Sequence, residues 1–299
     1  MQIIDGAEAM ENEQEIEWFW DKRIPKKAIT VLAAEGGEGK SALALWIALK
    51  LGCRLAKKSM YIDAEQTFVH LTSRLRKWAT PNEARRLFIP TEKLSESSLV
   101  ESATPSMKEI ARYAFSLECE LVVIDSLTTI SDELDITKRN QATQLMKTLK
   151  IIAGEANCAV LLIAHVNKKQ DPTKEIDVDS ICGNKAVSDL SRSVFLLTSE
   201  KDDPTEKKLI HVKSNWSPRQ PNILYSMADD GIEDFREDSP IDEGQPASAT
   251  QAEMNEIALQ IVQEGGNKKR IREAVREAGG TEINSTRAVY YVKTFGHKV

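Results

Sequence analysis

The chain has 299 residues, of which 41 % are hydrophobic, 29 % charged and 6 % aromatic. This composition is typical of a soluble globular protein with one sizeable core and an appendage. No run of about 18 uncharged apolar residues occurs, and the first 21 residues are acidic, so neither a membrane span nor a secretory signal is predicted. We expect a cytoplasmic protein that does not contact membranes. The four cysteines form no C-x-x-C pair and the four histidines no close pair, which disfavours disulfide and zinc frameworks.

The charge is unevenly distributed along the chain. The net charge is −6, yet residues 229–249 contain eight acids and one base, and residues 250–299 contain eight bases and six acids. A polar acidic run between two apolar-periodic regions is typical of a linker. The sequence therefore predicts a core over 1–228, an acidic linker over 229–249 and a small domain over 250–299.

Short apolar runs alternate with helical patterns in the core, as in a parallel α/β sheet covered on both faces. The predicted strands are Ala28–Ala33, Ser59–Ile62, Leu121–Ile124, Ala159–Ala164, Val194–Leu197 and Leu209–Val212. The predicted helices are Lys40–Leu51, Val69–Ala79, Lys108–Leu117 and Gln141–Glu155. A ligand is expected at the carboxyl ends of these strands.

A phosphate-binding loop follows the first predicted strand. The segment AEGGEGKS, from Ala34 to Ser41, matches G-x-x-x-x-G-K-[ST] except at Ala34. Glycines let backbone N–H groups converge on phosphate, Lys40 reaches the β and γ phosphates, and the Ser41 hydroxyl binds Mg²⁺. The residues predicted to contact ATP are Glu35, Gly36, Gly37, Glu38, Gly39, Lys40, Ser41 and Ala42.

Two further carboxylates end predicted strands. Asp125 closes the apolar run LVVID, where a carboxylate holds Mg²⁺ beside a phosphate loop; capping of the next turn through Ser126 is the structural alternative. Glu65, in YIDAE, is the candidate base that activates water. Alternatively, Glu65 or Asp63 caps the helix that follows.

Six motifs in order, AEGGEGKS, YIDAE, LVVID, LLIAHVNK, GNKAVSDLSRS and IHVKSN, resemble RecA-superfamily ATPases of the RepA hexameric-helicase type, relatives of DnaB and RadA. The resemblance covers about Trp18 to Met227 and departs from the family at Ala34 and at Lys26-Lys27. It implies a RecA-like parallel-sheet core, a homo-oligomeric and hexameric ring, ATP hydrolysis between subunits, and single-stranded DNA in the channel.

The resemblance also implies residue roles. His165 corresponds to the sensor that links the γ-phosphate to the DNA loop, although a buried core histidine is the common alternative. Arg192 corresponds to the finger offered to a neighbour's nucleotide, with an intrachain ion pair as its alternative. Lys213 is a further candidate for nucleotide contact at the interface, and Arg219 a weaker one.

Basic residues follow two of the strand ends. Lys138 and Arg139 lie in the loop after the Asp125 strand, and Lys168, Lys169 and Lys174 in the loop after the His165 strand. In a ring these residues would track DNA phosphates; solvated surface lysines are the alternative.

The tail is predicted to form three helices, Gln251–Glu264, Lys268–Ala278 and Ser285–Phe295, as a helix-turn-helix or winged-helix-like domain. Thr286, Arg287, Tyr290 and Lys293 are the candidate DNA contacts. Binding of a protein partner is the alternative, because a net charge of +2 is a weak electrostatic footprint.

We therefore expect a Mg²⁺-dependent ATPase and DNA helicase that replicates a mobile element such as a plasmid or phage. The alternatives are a recombination or repair ATPase on single-stranded DNA, and an ATP-gated duplex-DNA-binding initiator or regulator. The sequence leaves open the subunit number, the polarity and the loading partner.

Overall fold

The computed structural model describes residues 5–11, 15–63, 68–90, 103–130, 134–166, 180–200, 203–238, 257–262 and 268–277. The chain divides into two compact units, Met1–Ser239 and Pro240–Val299. Within the described residues, no helix is long and apolar enough to cross a membrane.

The first unit is built on a nine-stranded sheet with the order β11-β10-β9-β8-β3-β7-β6-β4-β5. Its strands are β3 (Ile29–Ala34), β4 (Lys58–Asp63), β5 (Leu87–Phe88), β6 (Cys119–Asp125), β7 (Ala159–His165), β8 (Ser193–Ser199), β9 (Glu206–Ser214), β10 (Ile223–Ala228) and β11 (Gly231–Glu237). Strands β3 to β8 run parallel to one another, and β9 to β11 extend the sheet from β8 by antiparallel pairing. A separate pair, β1 (Trp18–Trp20) and β2 (Ile24–Pro25), precedes β3.

Helices cover both faces of this sheet. The described helices of the first unit are α1 (Gly6–Glu11), α2 (Lys40–Trp46), α3 (Gly52–Arg54), α4 (Phe68–Trp78), α5 (Pro81–Ala84), α6 (Ala103–Ser116), α7 (Leu127–Ile130), α8 (Arg139–Glu155) and α9 (Ala186–Leu190). One core packs α6 and α8 against the sheet, and the other packs α2 and α4 against the opposite face. The parallel α/β core predicted from periodicity is confirmed.

All six predicted strands are present; β3 is shifted by one residue and the other five are longer than predicted, whereas the first helix differs. The run predicted as one helix to Leu51 is α2, then a π-helical turn over Ile47–Leu51, then α3. Strands β1, β2, β5, β10 and β11 were not predicted. Strands β1, β2 and β5 have only two or three residues, β11 is an exposed edge strand, and β10 has only two buried residues, Ile223 and Tyr225, so all five carry little apolar periodicity.

The expected linker starting at 229 is wrong for its first part, because Gly231–Glu237 forms the edge strand β11. Phe235 anchors this acidic segment: its ring lies 4.3 Å from that of Trp46 and 5.8 Å from that of Trp20. The charged side chains of an edge strand remain in water, so a net negative run can still pair with the sheet.

The second unit contains α10 (257–262) and α11 (Lys268–Glu277). Four buried residues, Ala258, Ile261, Ile271 and Val275, form a small core between these two helices. The described part of the tail is therefore helical, as predicted. The third predicted helix, Ser285–Phe295, lies outside the described residues.

Candidate functional site

The phosphate loop leaves the carboxyl end of β3 and enters α2 at Lys40. Strand β3 lies between β7 and β8, and Ala34 pairs in register with His165. The end of β7 therefore lies directly beside the start of the loop, as expected for a ligand site at the carboxyl edge of a parallel sheet.

The loop has the backbone shape that phosphate binding needs. Gly37 and Gly39 have φ values of 85° and 88°, a left-handed conformation that glycine adopts without strain. A methyl group placed on Gly36, Gly37 or Gly39 would meet no described atom within 4 Å. The glycines therefore face open space that a ligand can occupy.

Lys40 is buried, with 6 % of its surface exposed. Its Nζ donates hydrogen bonds to the carbonyl oxygens of Ala34, at 3.1 Å, and Glu35, at 2.7 Å. These carbonyls hold the ammonium group against the loop. A phosphate bound in the loop would there form an ion pair with Lys40.

Asp125 is completely buried at the end of β6. The hydroxyl of Tyr61, from the neighbouring strand β4, lies 2.7 Å from Asp125 Oδ2 and 3.2 Å from the carbonyl oxygen of Ser41. Burial and the Asp125 carboxylate raise the pKa of Tyr61 well above its ordinary value, so the hydroxyl keeps its proton. Sequence reasoning missed Tyr61, for which the only signal is a polar aromatic residue inside a buried strand.

The donor set around this edge suits ATP and Mg²⁺. Ser41 and Asp125 supply a hydroxyl and a carboxylate, the hard oxygen ligands that Mg²⁺ takes together with substrate phosphates. Within the described ranges, no group of three or more His, Cys, Asp or Glu residues forms a metal site independent of substrate.

The other predicted catalytic residues are placed as follows. Glu65 lies outside the described residues, whereas Asp63 ends β4 in register with Asp125. His165 is half-buried at the end of β7, and its carbonyl accepts a 2.7 Å hydrogen bond from the N–H of Cys182. Both β6 and β7 therefore bring predicted site residues to the phosphate-loop edge.

Arg192 lies at the amino ends of the parallel strands, opposite the end where the phosphate loop lies. Its N–H donates to the carbonyl of Ile29, the first residue of β3, whereas the phosphate loop follows Ala34 at the other end. Five residues of strand span about 17 Å. The guanidinium lies 5.8 Å from the centre of the Trp216 ring. Arg192 is therefore remote from the phosphate loop of its own chain.

Lys213 lies at the same edge, paired in register with Val194. Its Nζ donates to the carbonyls of Ser188, at 2.6 Å, and Ser191, at 3.1 Å. Burial lowers the pKa of this ammonium group. The side chain therefore caps the end of α9, and nucleotide contact by Lys213 at an interface between subunits stays a prediction.

Of the predicted DNA contacts, Lys138 and Arg139 are described. Their side chains are 63 % and 70 % exposed, and they approach Asp135 at 3.4 Å and Asp189 at 3.8 Å. Exposed ion pairs of this kind contribute little stability, so both cations remain available to a ligand. Lys168, Lys169, Lys174, Thr286, Arg287, Tyr290 and Lys293 lie outside the described residues.

The fold and the phosphate loop together define a RecA-like P-loop ATPase. The chain belongs to the AAA domain family, whose model matches residues 4–171. No curated protein matches the chain.

Two of the solved structures that share its fold are described as a recombinase and a KaiC-like protein. A crystal structure of the RadB recombinase is 19 % identical, with a TM-score of 0.52, over 71 % of this chain and 93 % of that one. A KaiC-like protein from the archaeon Pyrococcus horikoshii is 16 % identical, with a TM-score of 0.55, over 73 % of this chain and 96 % of that one. At these identities the likeness establishes the fold.

Proposed function

We propose that this chain is a Mg²⁺-dependent ATPase that forms a ring and works as a DNA helicase of the RepA type. The open glycine loop and the buried Lys40 support phosphate binding. Ser41 and Asp125 would hold Mg²⁺, which neutralises charge that develops on the phosphates. Tyr61 orients the Asp125 carboxylate, and Glu65 would take the proton of the attacking water.

The single observation that supports a ring is that Arg192 and the phosphate loop lie at opposite ends of the parallel strands. If Arg192 acts on ATP, it acts on the ATP of another subunit. The contact between two such different edges is heterologous, and repeated heterologous contacts close into rings or extend as filaments. A guanidinium fork suits the charge of transferring phosphate.

Movement on single-stranded DNA needs cations that bind the DNA phosphates, and in this proposal they lie at the carboxyl ends of the strands, where ATP binds. Lys138 and Arg139 follow β6 at the carboxyl edge and are exposed, and Lys168 and Lys169 follow β7 in the sequence. Contacts of this type bind phosphates without reading sequence. In a closed ring they would line the channel.

The decisive experiment combines assembly and strand displacement. We expect native mass measurement with an ATP analogue and single-stranded DNA to give a closed oligomer, six subunits in this proposal. We also expect ATP-dependent unwinding of a forked duplex that Lys40→Ala abolishes. DNA-stimulated hydrolysis of ATP without any unwinding of the duplex would contradict the proposed helicase activity.

A recombination or repair ATPase that coats single-stranded DNA is the second candidate. The observation that favours it is the shared fold with a protein described as the RadB recombinase, and the same opposed edges would then stack subunits into a filament. Filaments of indefinite length on single-stranded DNA, in place of a closed ring, would support this candidate. Specific duplex binding by the full chain that truncation of 250–299 abolishes would support an initiator or regulator.

A further inference from the structure

The phosphate loop contains an acidic side chain at Glu38, two residues before Lys40. A carboxylate at this position opposes the binding of a polyphosphate, because like charges repel most strongly where water is excluded. A loop that binds ATP therefore has to neutralise Glu38 or hold it aside.

The structure shows how Glu38 is held. Ser199 Oγ donates a hydrogen bond of 2.5 Å to Glu38 Oε2, and Lys207 Nζ lies 3.2 Å from the same oxygen. Lys207 Nζ also donates to Ser199 Oγ at 2.6 Å. These three residues, the Glu38 network, join the phosphate loop to the last residue of β8 and the second residue of β9.

The Glu38 network is largely shielded from water. The Lys207 side chain is 8 % exposed and that of Glu38 is 25 % exposed. The fully buried Tyr225 lies close by, and burial together with the Glu38 carboxylate raises its pKa. A charge pair in such a place interacts more strongly than a surface pair, and loss of one partner leaves an uncompensated charge.

We propose that Lys207 is a positioning residue for the phosphate loop. Its ammonium neutralises Glu38 and, with Ser199, draws the carboxylate towards the ends of β8 and β9, which leaves the loop N–H groups to the phosphates. This inference rests on the proposed binding of ATP. It assigns a role in ATP affinity to a strand residue that lies 167 positions after Lys40 in the chain.

The test is a double-mutant cycle on the full chain. Lys207→Met leaves the Glu38 carboxylate charged and without its ammonium partner. The dissociation constant of this variant for the Mg²⁺ complex of a non-hydrolysable ATP analogue should therefore rise roughly five- to tenfold. Glu38→Gln removes the repulsion and should bind the analogue at least as tightly as the wild type. The double variant Glu38→Gln/Lys207→Met should regain most of the lost affinity, which a purely structural role of Lys207 would not predict.

Two comparisons separate an effect of the Lys207 charge on affinity from an effect of the substitution on folding. Lys208→Met is the matched control, because Lys208 is the next residue on β9 and pairs with Asp238 at 2.8 Å; its affinity should equal that of the wild type. The loss in Lys207→Met should be larger for the ATP analogue than for ADP, because the analogue carries more negative charge. Calorimetric titration measures both constants.

A folded double variant that binds as weakly as Lys207→Met overturns the inference, as does an equal loss in Lys208→Met. If Lys207→Met does not fold, the double variant provides the test, since it contains neither charge of the pair. Near-normal affinity of the double variant for the analogue supports the proposed role of the Glu38 network, and weak binding or misfolding contradicts it. A wild-type chain that binds no nucleotide overturns the proposed function itself. The two failures are therefore distinguishable.

Discussion

The Tyr61 hydroxyl lies 2.7 Å from Asp125 Oδ2, which joins the buried centre of β4 to the carboxylate at the end of β6. The same hydroxyl lies 3.2 Å from the carbonyl of Ser41. One side chain thus connects the two residues that are predicted to hold Mg²⁺.

We expect Tyr61→Phe to lower the free energy of unfolding by roughly 1–3 kcal/mol, because a buried carboxylate loses a hydrogen-bond donor. It should also raise the Mg²⁺ concentration needed for half-maximal ATP hydrolysis. Tyr225→Phe is the control, since the Tyr225 hydroxyl has no hydrogen-bond partner among the described residues. Thermal unfolding and Mg²⁺ titration of the ATPase rate check both; equal effects of the two changes would contradict the assigned role.

Lys40→Ala should abolish ATP binding, because it removes the ammonium group held over the loop. Glu65→Gln should retain binding and lose turnover by roughly 10² or more, as expected for loss of a general base. Equilibrium binding and single-turnover hydrolysis separate the two effects. Near-normal hydrolysis by Glu65→Gln would shift the role to Asp63 or to a residue after Asp125.

Arg192→Ala should bind ATP normally and hydrolyse it slowly, because a finger in trans acts only on the transition state. Mixing Arg192→Ala with Lys40→Ala subunits should restore part of the rate: a Lys40→Ala subunit still offers Arg192 to a neighbour that retains Lys40. ATPase assays on rings shown to be mixed provide the measurement. Rings of verified mixed composition without recovery would assign Arg192 to an intrachain role, such as its contact with Trp216.

A chain ending at Ser239 should keep its ATPase rate and melting temperature, because the first compact unit ends there. A chain ending at Ala228 loses β11 and the Phe235 ring that packs on Trp46. This ring is half-buried, so its loss costs about 1–2 kcal/mol and the melting temperature should fall by roughly 5 °C. Equal thermal stability of the two truncated chains would show that β11 contributes nothing to the core.

The stability of the first unit should fall with pH through one buried histidine. His211 Nδ1 accepts a 3.0 Å hydrogen bond from the N–H of Gln220, and Nε2 lies 2.9 Å from Ser193 Oγ. Burial, with Arg23 and Arg219 nearby, lowers the pKa of His211 from 6.5 to about 4. The unfolded chain then binds more protons between these two values, so stability is fully present above pH 6.5 and is lost as the pH falls towards 4.

His211→Gln should remove this part of the pH dependence. We would measure thermal unfolding of the wild type and the variant across the same range. A wild-type curve as flat as that of the variant between pH 6.5 and pH 4 would contradict the assignment to His211.

The sequence by itself determined the parallel α/β core and the position of the phosphate loop. Buried strands such as β6 and β7 are continuous apolar runs, and the glycines, Lys40 and Ser41 are local in the chain, so periodicity and spacing identify them. Asp125 was predictable for the same reason, since it directly follows an apolar run. These features depend on neighbours in sequence.

Only the tertiary structure decided which distant side chains meet. The contact of Tyr61 with Asp125, the pairing of Glu38 with Lys207, and the capping of α9 by Lys213 each join residues far apart in the chain. Sheet order brings them together, and no local pattern encodes it. The acidic segment became strand β11 for a similar reason: Phe235 finds its aromatic partners only after the sheet has formed. Partial burial of that ring and pairing with β10 outweigh the polar composition that predicts a linker.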